Sequence, residues 1–199
     1  MPQPAKHSER ELLDRAVEQF WLHGYAGTSI RDLERALDLT APSIYHRWGT
    51  KDGLFLSALD HYIATVIETR VSRYLNSSPD PVVDLYRFFR TAQSPRGCMV
   101  TTTAVELGPT SSEARVHVEQ GLDAIRRGLL TEVERLKRSG ATIGPPPEVA
   151  EVLLVDMQGL MVLSRLGVGQ PELRRRTQAG FVSLFGDRFR PPPDRRPAG

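Results

Sequence analysis

TSIRDLERALDLTAPSIYHRWGTKDGLF, residues 28–55, is the stretch on which the fold turns. Ser29-Ile30-Arg31-Asp32 is a capping-box pattern, in which the Ser oxygen takes one orphan amide and the acid returns to the amide of the cap. Ile30, Leu33 and Leu37 then recur at helical spacing, which predicts a helix of about two turns. Asp38-Leu39-Thr40 makes a tight connection. Thr40 is placed to cap the next helix, and Pro42 falls in its first turn, where a missing amide costs nothing. Ile44 and Trp48 give that helix an apolar side, Gly49 stops it, and Thr50 caps a long helix expected to reach about Leu75.

Outward from this stretch the pattern stays helical. Ser8-Glu9-Arg10-Glu11 is another capping box, opening a helix with Leu12, Ala16 and Phe20 on one face, ended by Gly24 and Gly27. Downstream, Val82 to about Gln93 reads as a helix, and Cys98 to Leu107 as a short apolar segment. Thr110-Ser111-Ser112-Glu113 starts a long helix ending at Ser139-Gly140, and helices from Glu148 to Leu166 and from Glu172 to Phe185 close the pattern. The all-α reading divides into a flexible arm over 1–7, a helix-turn-helix domain over 8–54, a larger helical domain over 55–189 and a disordered tail over 190–199.

Composition narrows the function. No run approaches the ~20 apolar residues of a membrane span, and the start MPQPAKHSERE has no hydrophobic signal region, so a cytoplasmic protein is expected. A single cysteine, Cys98, permits neither an intramolecular disulfide nor a zinc finger. His7, His23, His46, His61 and His117 show no metal-ligand spacing, and no phosphate-cradling glycine loop or nucleophile-base set is present, which argues against an enzyme and against a cofactor. The net charge of +2 makes no case for nucleic acid, so that case rests on local arrangement.

The arrangement is two short helices joined by a tight turn, with a helix before and a long helix after. In a helix-turn-helix the second helix of the pair enters the major groove. Ile44 and Trp48 would pack inward, leaving Ser43, Tyr45, His46 and Arg47 to face phosphates and base edges. Lys51 and the free amides at the start of the following helix form a local anion site. Spacing alone equally suits a plain solvated face on a small helix.

At Gly24-Tyr25, Thr28-Ser29-Ile30-Arg31-Asp32-Leu33, Ile44-Tyr45-His46-Arg47-Trp48 and Lys51 with Leu54-Phe55, the sequence resembles the amino-terminal signature of the tetracycline-repressor (TetR) family of bacterial transcription regulators. Trp48 stands where that family usually has Phe, and Asp38 where its turn usually has Gly, an exchange that Asp tolerates because it enters the left-handed region more readily than most residues. The resemblance implies a homodimeric repressor that binds a pseudopalindromic double-stranded DNA operator and is released by a small-molecule effector. It also implies roles: Thr28 and Tyr45 toward phosphate, Ser43 and Arg47 toward the groove, His46 and Lys51 toward the backbone, with Ser29 and Thr40 on the same surface. The helical remainder would be the ligand-binding and dimerisation domain, its last two helices forming the dimer's four-helix bundle.

Candidate pocket residues in that domain are Tyr62, Phe88, Phe89, Met99, Thr103, His117, Gln120, Asp156, Met157 and Met161, with Leu59, Ile63 and Val66 beside them. On a helical wheel Val149, Leu153, Leu160 and Leu163 share a face, Gly159 would let a partner helix approach, and Asp156 falls among the leucines. A carboxylate there needs a partner: an Arg across the dimer, or a cationic or hydroxylated ligand. Cys98 carries two readings as well, a thiol sensor activated by Arg96 or a small packed residue, and the packed state is the usual one for a free Cys. An all-helical dimeric scaffold without DNA binding is the remaining alternative.

Overall fold

The computed structural model of the protein describes residues 7–141 and 143–190, so nearly all of the expected arm and tail lies outside the described residues. The helices run α1 (Glu9–His23), α2 (Ile30–Leu37), α3 (Ala41–Trp48), α4 (Lys51–Tyr62), a π-helical segment (Ile63–Glu68), α5 (Thr69–Tyr74), α6 (Pro81–Ala92), α7 (Met99–Glu106), α8 (Ser112–Arg138), α9 (Pro146–Arg165), α10 (Gln170–Phe185) and a 3-10 turn (Gly186–Arg188). Among the described residues there is no strand.

Two compact units result. One holds the described residues up to Thr69 together with Arg96–Ala124, and the other Arg70–Pro95 with the described residues from Ile125 onward. The boundary expected after residue 54 falls inside the first unit.

In the first unit, α1 packs on α2 and α4, and α3 on α2 and α4, and Leu12, Ala16, Phe20, Leu33, Leu37, Ile44 and Leu54 are all buried. Removing a Leu, Ile or Phe side chain from water contributes about 1.5–3 kcal/mol, and the methyl of Ala16 less. Phe20 and Tyr25 both meet Phe55 edge to face, with centroids 4.9 and 5.1 Å apart, so α1, the turn after it and α4 converge on one ring. Both capping boxes form: Glu11 Nα–H donates to Ser8 Oγ at 3.3 Å and Asp32 Nα–H to Ser29 Oγ at 3.2 Å, and both acids return to their caps. Asp38 takes the left-handed conformation, φ 55° and ψ 45°, at the point where α2 turns into α3.

The run from Lys51 to Tyr74 is continuously helical, as expected, but it widens to π geometry at Ile63–Glu68. That segment, IATVIE, is rich in β-branched residues, which crowd the preceding helical turn, and Thr65 Oγ1 donates to His61 O at 2.6 Å.

The second unit is built around Phe181 of α10, whose ring meets Tyr86, Phe89, Phe185 and Phe189. A polar cluster ties the turn before α6 to α8. The buried Asp84 accepts the amides of Ser77 and Ser78 at 2.9 Å each, the buried Glu132 accepts the amide of Asn76, and Arg135 reaches both acids, at 3.4 and 2.7 Å. Burial would raise the Asp84 pKa, but the Ser78 and Ser77 donors outweigh it and hold the group low; in Glu132 burial prevails over the Asn76 amide and Arg135, and its pKa is raised.

On α9, Leu153 and Leu160, offered as the face a partner helix would meet, are buried within the single chain and serve its own core, and Asp156 is exposed. It lies at the margin of the leucine face with Oδ2 against Gly180 of α10, where an added Cβ would come within 2.8 Å. Asp156 was expected among the leucines with a partner for its charge; it is instead exposed, its carboxylate lying beside a residue of α10 that has no side chain. The partial desolvation it meets raises its pKa.

Candidate nucleic-acid interface

Thr40 begins α3, but its hydroxyl is not the cap. Thr40 Oγ1 lies 3.0 Å from Ser43 Oγ, and the first amide, of Ala41, donates instead to the carboxylate of Glu34 at 2.6 Å. The acid that fixes α3 on α2 is thus seven positions upstream, outside any capping spacing. With Ile44 buried and Trp48 half-buried, α3 turns Tyr45, His46 and Arg47 outward, Tyr45 at 44% exposure, with Ser43 half-buried beside them.

The residues expected around this row fall into three conditions. Ser29 is exposed, but its hydroxyl is held by Asp32 at 2.6 Å, and the pKa of Asp32 is lowered to about 2 by Ser29 and Arg35. Lys51 is half-buried rather than free: Nζ donates to Tyr25 O at 2.7 Å and sits 4.0 Å over the Tyr25 ring. Thr28 departs from the expectation of a phosphate contact, because it is fully buried and donates to Gly24 O at 2.8 Å. Its hydroxyl closes the turn from which α2 springs.

Tyr25 and Glu106 went unread in the sequence as functional residues. The Tyr25 hydroxyl donates to Asp52, which pushes its pKa up to about 12. Glu106, the last residue of α7, accepts the amides of Tyr25 at 2.9 Å and Ala26 at 2.6 Å. Only the Gly24-Tyr25 pair, at the end of α1, marked this turn in the sequence; an acid some eighty residues downstream leaves no local pattern.

The residues expected to line a pocket divide between the two units. In the first, Tyr62, Met99 and Thr103 are buried, and Thr103 donates to Met99 O at 2.8 Å. Two are corrected: Gln120 is exposed, and His117 is half-buried and paired with Asp60. In the second, Phe88, Met157 and Met161 are buried, and Phe89 is spent on the aromatic core against Phe181. Asp156, exposed, does not share their environment. A cavity of about 220 Å³ in this unit is lined by Asp80, Val82, Val83, Tyr86, Arg188, Phe189 and Arg190, none of them expected.

Cys98 is buried, and the Tyr62 hydroxyl points at its sulfur at 3.8 Å. Arg96 directs its charge to Glu18 and lies over the Trp21 ring at 5.4 Å. The arginine is therefore engaged with α1, which weakens the case for an activated thiol.

Comparison with known proteins agrees with this geometry. The family model for bacterial regulatory proteins of the tetR family matches residues 12–58, which span α1 to most of α4. The chain is 30% identical over 151 residues to an uncharacterized HTH-type transcriptional regulator, YezE, of Bacillus subtilis, covering 70% of this chain and 75% of that one. It is 28% identical over 171 residues to the HTH-type transcriptional repressor ComR of Escherichia coli, covering 81% of each. Among solved structures, a cysteine variant of the TetR-family regulator CifR in complex with a 26-base-pair operator superposes with a TM-score of 0.77 at 26% identity, covering 90% of this chain and 98% of that one. No described helix is long and apolar enough to cross a membrane. With its helix-turn-helix formed as the signature requires and a relative of this similarity matched over most of its length, the chain belongs to the tetR family of bacterial transcription regulators.

Proposed function

We propose that the protein is a homodimeric repressor that reads a pseudopalindromic DNA operator in the cytoplasm through α3 and lets go when a small molecule binds its larger helical domain. The observation that carries this reading is the outward row Tyr45, His46 and Arg47 on a helix whose other side is locked by Ile44. A row of this chemistry suits a groove, with Arg47 and Ser43 reading base edges and Tyr45, His46, Lys51, Ser29 and Thr40 holding the backbone. The operator-bound CifR variant supports the same use of the fold.

Dimerisation through the last two helices is supported by a stripe that the single chain leaves bare. Val152, Val155 and Val162 on α9, Leu166 at its carboxyl end and Val182 on α10 are exposed, Leu166 at 78% and Val155 at 69%, and the space above Gly159 is open. On α9 these positions recur at helical spacing along one face, as a helix-helix seam requires. A twofold dimer presents two copies of α3 to a symmetric site, with half-site centres about one helical turn or a multiple apart.

Selecting fragments of the source genome on the purified protein tests the reading. The expected result is a small set of fragments sharing an inverted repeat, bound more weakly as salt rises. Uniform recovery of the genome without a shared motif would refute it.

A further inference from the structure

We infer that Glu106 is a positioning residue that couples α7 to DNA affinity by holding the Tyr25 peptide and, through it, Lys51. The inference rests on the regulator reading above and names the contact through which that regulation would act. A carboxylate on the last residue of a helix opposes the helix dipole, so Glu106 is poorly placed for the sake of α7. It is compensated by two charge-assisted bonds, from the amides of Tyr25 at 2.9 Å and Ala26 at 2.6 Å.

These amides lie just beyond the end of α1, past the reach of its own hydrogen bonds, which stop at the Gly24 amide on Phe20 O. Gly24 fits the clamp in two ways. It adopts φ +75°, and a Cβ there would come within 3.0 Å of Glu106 Oε2.

From the clamped peptide the bonds continue in both directions. Gly24 O accepts Thr28 Oγ1, which fixes the start of α2. Tyr25 O accepts Lys51 Nζ, and the Tyr25 hydroxyl reaches Asp52, which together fix the first turn of α4. One carboxylate on α7 therefore sets the entry to the helix-turn-helix and the orientation of its phosphate-side lysine. The other end of α7 starts at the buried Cys98, against Tyr62 of α4. A shift of α7 along its axis would carry the clamp with it, so that the two amides lose their acceptor and Lys51 its fixed carbonyl.

The test combines amide exchange and a double-mutant cycle. In the wild type the Tyr25 and Ala26 amides should exchange slowly, and in Glu106→Ala at least tenfold faster, at unchanged helicity. On a duplex selected from a random library by the wild type, Glu106→Ala should weaken binding by about tenfold, within the usual range of coupling between sites. Lys51→Ala should cost less in the Glu106→Ala background than in the wild type, because the lysine is already unfixed. Exchange at Tyr25 and Ala26 unaffected by Glu106→Ala, or strictly multiplicative losses in the cycle, would overturn the coupling. Should Glu106→Ala not fold, Glu106→Gln, which keeps one acceptor oxygen, should show faster exchange at one or both amides and a smaller loss of affinity, and wild-type behaviour in both would overturn it. If the wild type selects no duplex at all, the regulator reading falls, while the exchange measurement still decides whether the clamp exists.

Discussion

Arg47 and Lys51 stand four positions apart in the chain but in different surroundings. Arg47 is exposed on α3, and Lys51 is fastened to Tyr25. Arg47→Ala should relax preference at one position per half-site, at a cost of about 1–3 kcal/mol, whereas Lys51→Ala should weaken all sequences alike and lower the salt slope by about one. Binding across an operator library at several salt concentrations separates the two, and a change of base preference in Lys51→Ala would show the roles to be wrongly assigned. Asp38 offers a check on stability, since its left-handed backbone suits Gly better: Asp38→Gly should gain about 0.5–1 kcal/mol in urea unfolding, and a loss would mean that its side chain matters more than its backbone. Cys98→Ser should leave the response to peroxide or a quinone unchanged, as a packed thiol requires. At this scale legibility follows range. Ser8, Ser29, Asp38 and Thr50 were readable because their bonds close within a few residues, while the burial of Thr28, the cap by Glu34 and the clamp by Glu106 depend on approaches that no local spacing records.

Among the elements, helix boundaries were legible from caps, glycines and prolines, and α9 and α10 begin close to their expected starts. The π segment was not, because a β-branched run lowers helix preference without saying which register results. The junction of α6 with α8 carries a pH signature. Asp84, with its lowered pKa, contributes stability that is present above the unfolded carboxylate range and lost as pH falls through the folded value. Glu132, with its raised pKa, has the opposite sign: its ionisation costs stability as pH rises from the unfolded value through the folded one. Glu132→Gln should therefore remove a loss of stability on the alkaline side of that window, measured by urea unfolding across pH, and an unchanged pH profile would contradict the assignment. Arg135→Ala takes the cation away from two buried carboxylates, leaving them only neutral donors, and should cost about 3 kcal/mol or more.

For the whole molecule, the exposed stripe on α9 and α10 is the surface that the proposed homodimer would cover, a second copy of the chain meeting it by symmetry. Val155→Asp with Val162→Asp should give a monomer in light scattering with helicity retained and operator affinity lost. A dimer surviving both changes would place the interface elsewhere. The family and the helical class were legible from a stretch of about fifty residues, whereas the pocket was not, because aromatic and methionine residues at helical spacing fill a core as readily as they line a cavity, as Phe89 does against Phe181. The most direct test of the central claim, that α3 reads a twofold operator, is selection from a random duplex library by wild type and Arg47→Ala side by side. The account predicts an inverted repeat for the wild type and, for the variant, the same repeat with one symmetric position relaxed in both halves. Enrichment of no motif, or of an identical motif by both proteins, would contradict it.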